Sequence, residues 1–286
     1  MARWPAGCRF RTRELEEDPM RYAALSDVGK VRERNEDFYH ADGRLFIVAD
    51  GMGGHQAGDV ASSAAVEEFL RCEKESRGVD PLRRLRGCLQ AANRVILKMA
   101  EKDPGLRGMG TTFTVLLLED GAYLGHVGDS RAYVLRGGTL NPLTRDHSLV
   151  EKMVREGFLT AREARRHPKR NIILRALGLS ADLAADLVRV EVMPGDRILL
   201  CTDGLTSQLE DDQLARLLLE EEDPEACARK LVEAANALGG EDNVTVILVD
   251  LEEGDGCVFP AKGAVSRREE KNPVARWWRH MRTGRA

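Results

Sequence analysis

Four aspartates in this chain share one local setting. Asp50 closes the apolar run Leu45-Phe-Ile-Val-Ala and is followed by Gly51-Met52-Gly53-Gly54. Asp129 lies in His126-Val-Gly-Asp-Ser-Arg131, Asp203 sits between Thr202 and Gly204, and Asp242 stands in Glu241-Asp-Asn243 just before another apolar run. An ionised carboxylate at the tip of a buried strand costs several kcal/mol unless it meets a cation or several donors. Glycine after Asp50 lets the backbone approach whatever the acid holds, and leaves the Gly51 carbonyl able to serve as a ligand. The chain has no His-Glu-x-x-His and no clustered cysteines, and oxygen-only ligands suit Mg²⁺ or Mn²⁺ rather than zinc. Two such ions about 3.5–4 Å apart, sharing one carboxylate, can deprotonate a water and stabilise an in-line displacement at phosphorus. Arg32, near the dense polar cluster that ends in Glu36-Asp37, could grip phosphate oxygens. Each piece has a plainer alternative: Asp-Gly is an ordinary turn, and a run of charges is usually a solvated loop.

Two other phosphate chemistries fail on particular residues. Cys88 and Arg94 have the spacing of a Cys-x5-Arg phosphatase loop, but the residues between them contain no glycine and fall in a predicted helix, so Cys88 reads as a helix residue. Gly53-Gly-His-Gln-Ala-Gly58 has the glycine spacing of a nucleotide-binding loop, yet Asp59 stands where a lysine is needed and would repel phosphate.

The elements that must position the acids can be read from periodicity and turn signals. Strands are expected at 22–26, 45–50, 111–118, 122–127, 131–135, 187–192, 197–201 and 244–250. Asp120-Gly121 is a hairpin turn, which makes the middle of the chain an antiparallel meander. Helices are expected at 59–70, from Asp80-Pro81 to Asp103, at 148–156, 160–166 and 211–220, and from Asp223-Pro224 to Gly239. This grouping predicts an α+β fold: a layered α-β-β-α sandwich of two mainly antiparallel sheets flanked by helices, with a small, weakly packed, basic helical flap.

With 286 residues, 43% of them hydrophobic, the chain can build one large domain plus tails, and a net charge of −4 argues against a nucleic-acid partner. No window approaches 18 consecutive apolar residues, and the N-terminus lacks the apolar core of a signal peptide, so a cytoplasmic protein is expected. Six scattered cysteines suit reduced thiols. Residues 1–20 read as a flexible or loosely docked lead-in, and 252–286 as a linker and tail. In that tail Val274, Trp277, Trp278 and Met281 fall on one helical face among arginines, a pattern for an anionic membrane surface or a partner; a disordered or self-packed tail is the alternative.

Arg32-x-x-Asn-Glu36-Asp37, Ala49-Asp50-Gly51-Met-Gly-Gly54, Gly110-Thr-Thr112, Val127-Gly-Asp129-Ser-Arg131, Asp146-His-Ser148, Arg175-Ala-Leu-Gly178, Thr202-Asp-Gly204 and Glu241-Asp-Asn243 occur in an order and spacing that resemble the metal-dependent protein serine/threonine phosphatases of the protein phosphatase 2C type, the compact bacterial members above all. The resemblance covers residues 21–251 as the catalytic domain and implies a flap at about 148–177 that borders the cleft. It implies hydrolysis of phosphoserine or phosphothreonine by a water activated between two Mn²⁺ or Mg²⁺ ions, without a phosphoenzyme. By it, Asp50 bridges the metals, Glu36 and the Gly51 carbonyl complete one shell, and Asp203 and Asp242 hold the other. Asp129 with Asp203 would bind a third ion, and Arg32 would hold the substrate phosphate. The implied partners are phosphorylated proteins, with a serine/threonine kinase working in opposition, and the implied state is a monomer. One departure stands out: some relatives carry a histidine two residues after the bridging aspartate as general acid, where this chain has Met52, which has no proton to give. The proton must then come from metal-bound water, from Asp37 or from elsewhere, and His55 and His126 read as structural.

Overall fold

Residues 45–49 are apolar at every position because the strand they form is covered on both faces. The computed structural model describes residues 9–11, 20–53 and 57–252. In chain order its strands are β1 (Arg9–Arg11), β2 (Arg21–Asp27), β3 (Asp37–Ala41), β4 (Leu45–Met52), β5 (Gly110–Thr111), β6 (Phe113–Leu118), β7 (Ala122–Val127), β8 (Arg131–Arg136), β9 (Thr139–Pro142), β10 (Asp186–Val190), β11 (Arg197–Cys201) and β12 (Val244–Asp250). The helices are α1 (Ala57–Glu75), α2 (Pro81–Lys102), α3 (Leu149–Arg155), α4 (Ala161–Arg165), α5 (Asp203–Thr206), α6 (Asp211–Glu220) and α7 (Pro224–Ala237).

One sheet runs β1-β2-β12-β11-β8-β9 and the other β10-β7-β6-β4-β3, with β5 on β4. Every pairing is antiparallel. Side chains alternate across each strand, so three apolar layers result. Phe46, Val48, Leu116 and Leu124 meet Ala132, Val134, Ile198, Leu200 and Ile247 between the sheets. On the outer face of the second sheet Leu45, Ile47 and Val115 pack on Ala65, Phe69, Leu85 and Leu89 of α1 and α2. Leu25, Leu199 and Leu248 pack on Leu214, Leu218 and Leu231 of α6 and α7. The expected α-β-β-α sandwich is the observed one.

The helices start where the sequence signals them. The Asp80 carboxylate accepts from the Arg83 amide at 3.0 Å and Asp223 from Ala226 at 2.8 Å, each followed by proline, whose missing N–H costs nothing in the first turn. In the flap, Ser148 caps α3 and Thr160 caps α4 with a reciprocal bond to Glu163. Several elements were not expected. Part of the polar cluster is the start of β3, where Asp37 is buried. β9 is a short partner to β8. The expected strand at 111–118 divides at Thr112, whose amide turns to the Asp50 carbonyl at 2.9 Å. Asp203 opens the one-turn helix α5 directly after β11. Arg9–Arg11, inside the expected lead-in, pairs with β2. The expected tail helix and its tryptophans, with His55, lie outside the described residues.

Candidate active site

Antiparallel pairing brings the acids to one end of the sandwich. Asp37 and Asp50 are register partners on β3 and β4. On the other sheet Cys201 pairs with both Val246 and Arg131, so Asp203 just after β11, Asp242 just before β12 and Asp129 just before β8 leave the same edge. Residues about 190 apart in the chain thus feel one another's charge. The Asp50 carboxyl is pushed well above the usual carboxylate range by burial, and further by Asp37, Asp203, Asp129 and Asp242. Asp37 is pushed up to about 7 by burial, against hydrogen bonds from Thr245 and Thr202, with Asp203 and Asp242 adding to the rise. Asp203 rises to about 6 through burial and Asp242, and a hydrogen bond from Asp50 opposes the shift. Asp129 is raised by burial and by Asp203 and Asp146, while Arg131 counters. Glu36 is raised by burial, with Arg32 opposing.

Three oxygens in this group, Asp37 Oδ1, Asp129 Oδ1 and Asp203 Oδ1, are buried with no hydrogen-bond donor. Buried carboxylate oxygens without donors are rare and costly. Among the described residues no three His, Cys, Asp or Glu side chains close round a point as a finished cation cage. The fit to a hard cation therefore rests on crowded negative charge, donorless oxygens and an all-oxygen set.

The backbone around the acids is held tightly. Thr111 Oγ1 and the Thr112 amide both donate to the Asp50 carbonyl, and the Asp50 amide donates to Thr112 Oγ1, each at 2.9 Å. Thr112 Oγ1 is 2.6 Å from Ser130 Oγ, which joins the Asp50 strand to the Asp129 turn. Asn243 Oδ1 accepts from the Glu36 amide at 2.9 Å, and its Nδ2 donates to the Val28 and Arg34 carbonyls. A Cβ on Gly51 would lie 2.0 Å from the Gly58 carbonyl oxygen and 2.6 Å from that of Glu36. A Cβ on Gly58 would lie 2.7 Å from the Glu36 carboxyl carbon. Both glycines are there to let the Glu36 carboxylate and the Gly51 carbonyl come together.

Sequence reasoning missed Gly58, Thr202 and Thr245. Thr202 Oγ1 and Thr245 Oγ1 donate to Asp37 Oδ2 at 2.8 and 2.6 Å. Gly58 was weighed only as part of a nucleotide loop; a glycine in the first turn of a helix, where Ala would be favoured, was the available signal. Arg32 is half exposed and its Nη2 is 2.8 Å from Asp242 Oδ2. Its pKa rises, against the cost of burial, through Asp242 and then Glu36 and Asp50. Cys88 is a buried α2 residue, as expected. His126 is buried as well: its Nδ1 accepts from Thr114 Oγ1 at 2.9 Å and its Nε2 donates to the Arg145 carbonyl at 3.1 Å. Burial pulls its pKa down to about 4, which leaves it neutral and structural.

The flap is anchored beside the acids. Thr111 and Leu177 exchange backbone hydrogen bonds at 3.1 and 2.9 Å, and Arg165 Nη2 donates to the Thr206 and Leu209 carbonyls. The flap exposes Phe158, Ile172 and Leu174 among arginines and lysines.

Residues 30–242 match the sequence model of the family described as Protein phosphatase 2C. The chain is 42% identical over 256 residues to the serine/threonine protein phosphatase PstP of Mycobacterium tuberculosis, covering 88% of this chain and 49% of that protein. It spans about half the length of that relative. It is 38% identical over 235 residues to the serine/threonine phosphatase stp of Listeria monocytogenes, covering 79% of this chain and 93% of that protein. Among solved structures, the fold superposes on the Mycobacterium tuberculosis phosphatase PstP/Ppp with a TM-score of 0.77 at 42% identity, covering 82% of this chain and 99% of the other. It also superposes on the catalytic domain of a PstP phosphatase in complex with two manganese ions, with a TM-score of 0.74 at 39% identity over 82% and 99% of the two chains. Among the described residues no helix is long and apolar enough to cross a membrane.

Proposed function

The chain belongs to the protein phosphatase 2C family, and from that membership we propose that it is a metal-dependent protein serine/threonine phosphatase, acting by one in-line displacement without a phosphoenzyme. The observation that carries the reading is that Asp50, Asp37, Asp203 and Asp129 are all raised at one end of the sandwich, first by burial and then by neighbouring acids, with three donorless oxygens among them. Crowding of this kind is costly in the bare protein and is relieved by divalent cations. Asp50 would be shared between two ions, Glu36 and the Gly51 carbonyl would hold one of them, Asp203 and Asp242 the other, and Asp129 with Asp203 would hold a third. When bound, Mn²⁺ or Mg²⁺ supplies the Lewis acidity that activates water and offsets phosphoryl charge.

The remaining steps belong to side chains. Arg32 pairs with Asp242 in the bare protein, and the same planar fork suits a phosphate in two-point contact. In the bare protein burial and neighbouring acids push the Asp37 pKa up to about 7, and its Oδ1 has no hydrogen-bond partner; a bound cation would lower that value. Because Met52 has no proton to give, we assign Asp37, held by the Thr202 and Thr245 hydroxyls, as the group to test for protonation of the leaving alkoxide. The basic flap, with Phe158, Ile172 and Leu174 exposed on it, suits a phosphorylated protein chain better than a small phosphate ester. The catalytic domain is assigned to residues 21–251, the flap to 148–177, and the chain acts as a monomer opposing a serine/threonine kinase.

The test is hydrolysis of a phosphothreonine peptide with Mn²⁺, with chelator, and by Asp203→Asn. Activity should require the ion and fall at least about 100-fold in the variant. A rate that survives both chelation and the substitution refutes the reading. Competition between phosphopeptides and a nucleotide then reports the substrate class.

A further inference from the structure

Two cysteines on neighbouring helices are closer than non-bonded sulfurs can rest. Cys72, near the end of α1, and Cys88, in the second turn of α2, place their Sγ atoms 2.6 Å apart. That is only about 0.5 Å longer than a covalent S–S bond of about 2.05 Å, and well inside the van der Waals separation of two sulfurs. A thiol is a weak donor and does not by itself hold such a distance.

The surroundings account for it. Glu73, next to Cys72, and Arg84, one turn before Cys88, are both buried, with Arg84 Nε 3.7 Å from Glu73 Oε1. Arg84 Nη2 reaches Glu119 Oε2 at 2.7 Å, and Arg44 Nη2 reaches Glu73 Oε2 at 2.8 Å. Between the helices Ser76 Oγ donates to the Cys72 carbonyl at 2.7 Å and lies 3.7 Å from Cys88 Sγ. The α1–α2 hairpin is thus held by a charged cluster and by Ser76, with the two sulfurs pressed together beside them.

We propose that Cys72 and Cys88 form a thiol-oxidation site that a hydroperoxide converts to an intramolecular disulfide, stapling α1 to α2. The order of events follows exposure. Cys72 is partly exposed, whereas Cys88 is fully buried and burial pushes its thiol up to about 12, so Cys72 meets the oxidant first. The Cys72 thiolate attacks the peroxide: an S–O bond forms, the O–O bond breaks, and the sulfenic acid results, with hydroxide leaving from hydrogen peroxide or an alkoxide from an organic hydroperoxide. Cys88 sulfur then attacks Cys72 sulfur: S–S forms, S–O breaks, and the departing hydroxide takes the Cys88 proton as water. Two electrons pass from the thiols to the peroxide. A loop of 16 residues is closed, and Gly58, beside Glu36, is about 21 Å along α1 from Cys72 at 1.5 Å per residue. The bond therefore acts on the stability of the fold and leaves the acid cluster alone.

The test is treatment of the full chain with hydrogen peroxide, alkylation of remaining thiols and peptide mapping under non-reducing conditions. A peptide linking Cys72 to Cys88 should appear and vanish with dithiothreitol, and the melting temperature should rise by about 6–12 °C, as expected for a loop of that length in a domain of this size. Cys72→Ser and Cys88→Ser should each lose the link and the rise, while Cys227→Ser keeps both. Mapping on the wild-type chain decides the matter even if a variant fails to fold. Cys72 driven to sulfinic or sulfonic acid without a link, or Cys72 and Cys88 both alkylated after excess peroxide, overturns the proposal. A link with no change in melting temperature overturns the stapling.

Discussion

Replacing Asp203 by Asn should stabilise the bare protein while removing its response to metal. In the folded chain Asp203 is raised from 3.8 to about 6. A carboxyl whose folded value lies above its unfolded one stabilises the fold fully below its unfolded value, near pH 4, and loses that contribution as pH rises through about 6. Ionising it at pH 7.5 thus costs about 3 kcal/mol at about 1.4 kcal/mol per unit. Asp203 is partly exposed and Asp50, Asp37 and Asp129 readjust when it is removed, so about 2 kcal/mol should be recovered. With about 2–4 °C per kcal/mol for a domain of this size, the Asn variant with chelator should melt about 4–8 °C above wild type at pH 7.5 and close to it at pH 4.5. The wild type should regain stability with Mn²⁺, by about 3 kcal/mol at 100-fold excess over the dissociation constant, and the variant should regain little. Thermal melts at both pH values, with chelator and with Mn²⁺, read all of this. A chelated variant that melts at or below wild type at pH 7.5 would show that the acids do not repel one another in the fold, and the site assignment would lose its physical basis.

Arg32→Lys keeps the charge but loses the two-point fork, and should lower kcat/KM for a phosphopeptide by about 10–100-fold, mainly through KM; an unchanged KM removes Arg32 from phosphate binding. Gly51→Ala forces a methyl to within 2.0 Å of the Gly58 carbonyl oxygen, so Mn²⁺ affinity measured by calorimetry should fall at least about 10-fold, and retained affinity would refute the close-packed ligand loop. Arg84→Met leaves buried Glu73 with Arg44 and the more distant, exposed Arg77, and should cost about 3–5 kcal/mol in urea unfolding; a loss under 1 kcal/mol would show that the cluster is not what fixes the α1–α2 hairpin.

The sequence by itself determined most of the helices and strands and the chemistry types. Asp80-Pro81 and Asp223-Pro224 marked helix starts because an orphan N–H at a helix terminus needs a carboxylate and tolerates proline. Residues 45–49 marked a doubly covered strand, and the four acids flanked by glycine or small polar residues marked the site, because both signals are local. What tertiary structure alone decided is what lies across the fold. Nothing near Asp37 says that it belongs to β3 and not to a solvated loop; that follows from its register with Asp50 and from two threonine hydroxyls, Thr202 and Thr245, that arrive from the other sheet. Gly58 matters only because the Glu36 carboxylate reaches it from 22 residues earlier in the chain. The sulfurs of Cys72 and Cys88 meet only once α1 and α2 pack as an antiparallel pair. Capping and periodicity are properties of a few neighbouring residues, whereas burial, charge crowding and pKa depend on which distant segments share a volume, and strand pairing sets that.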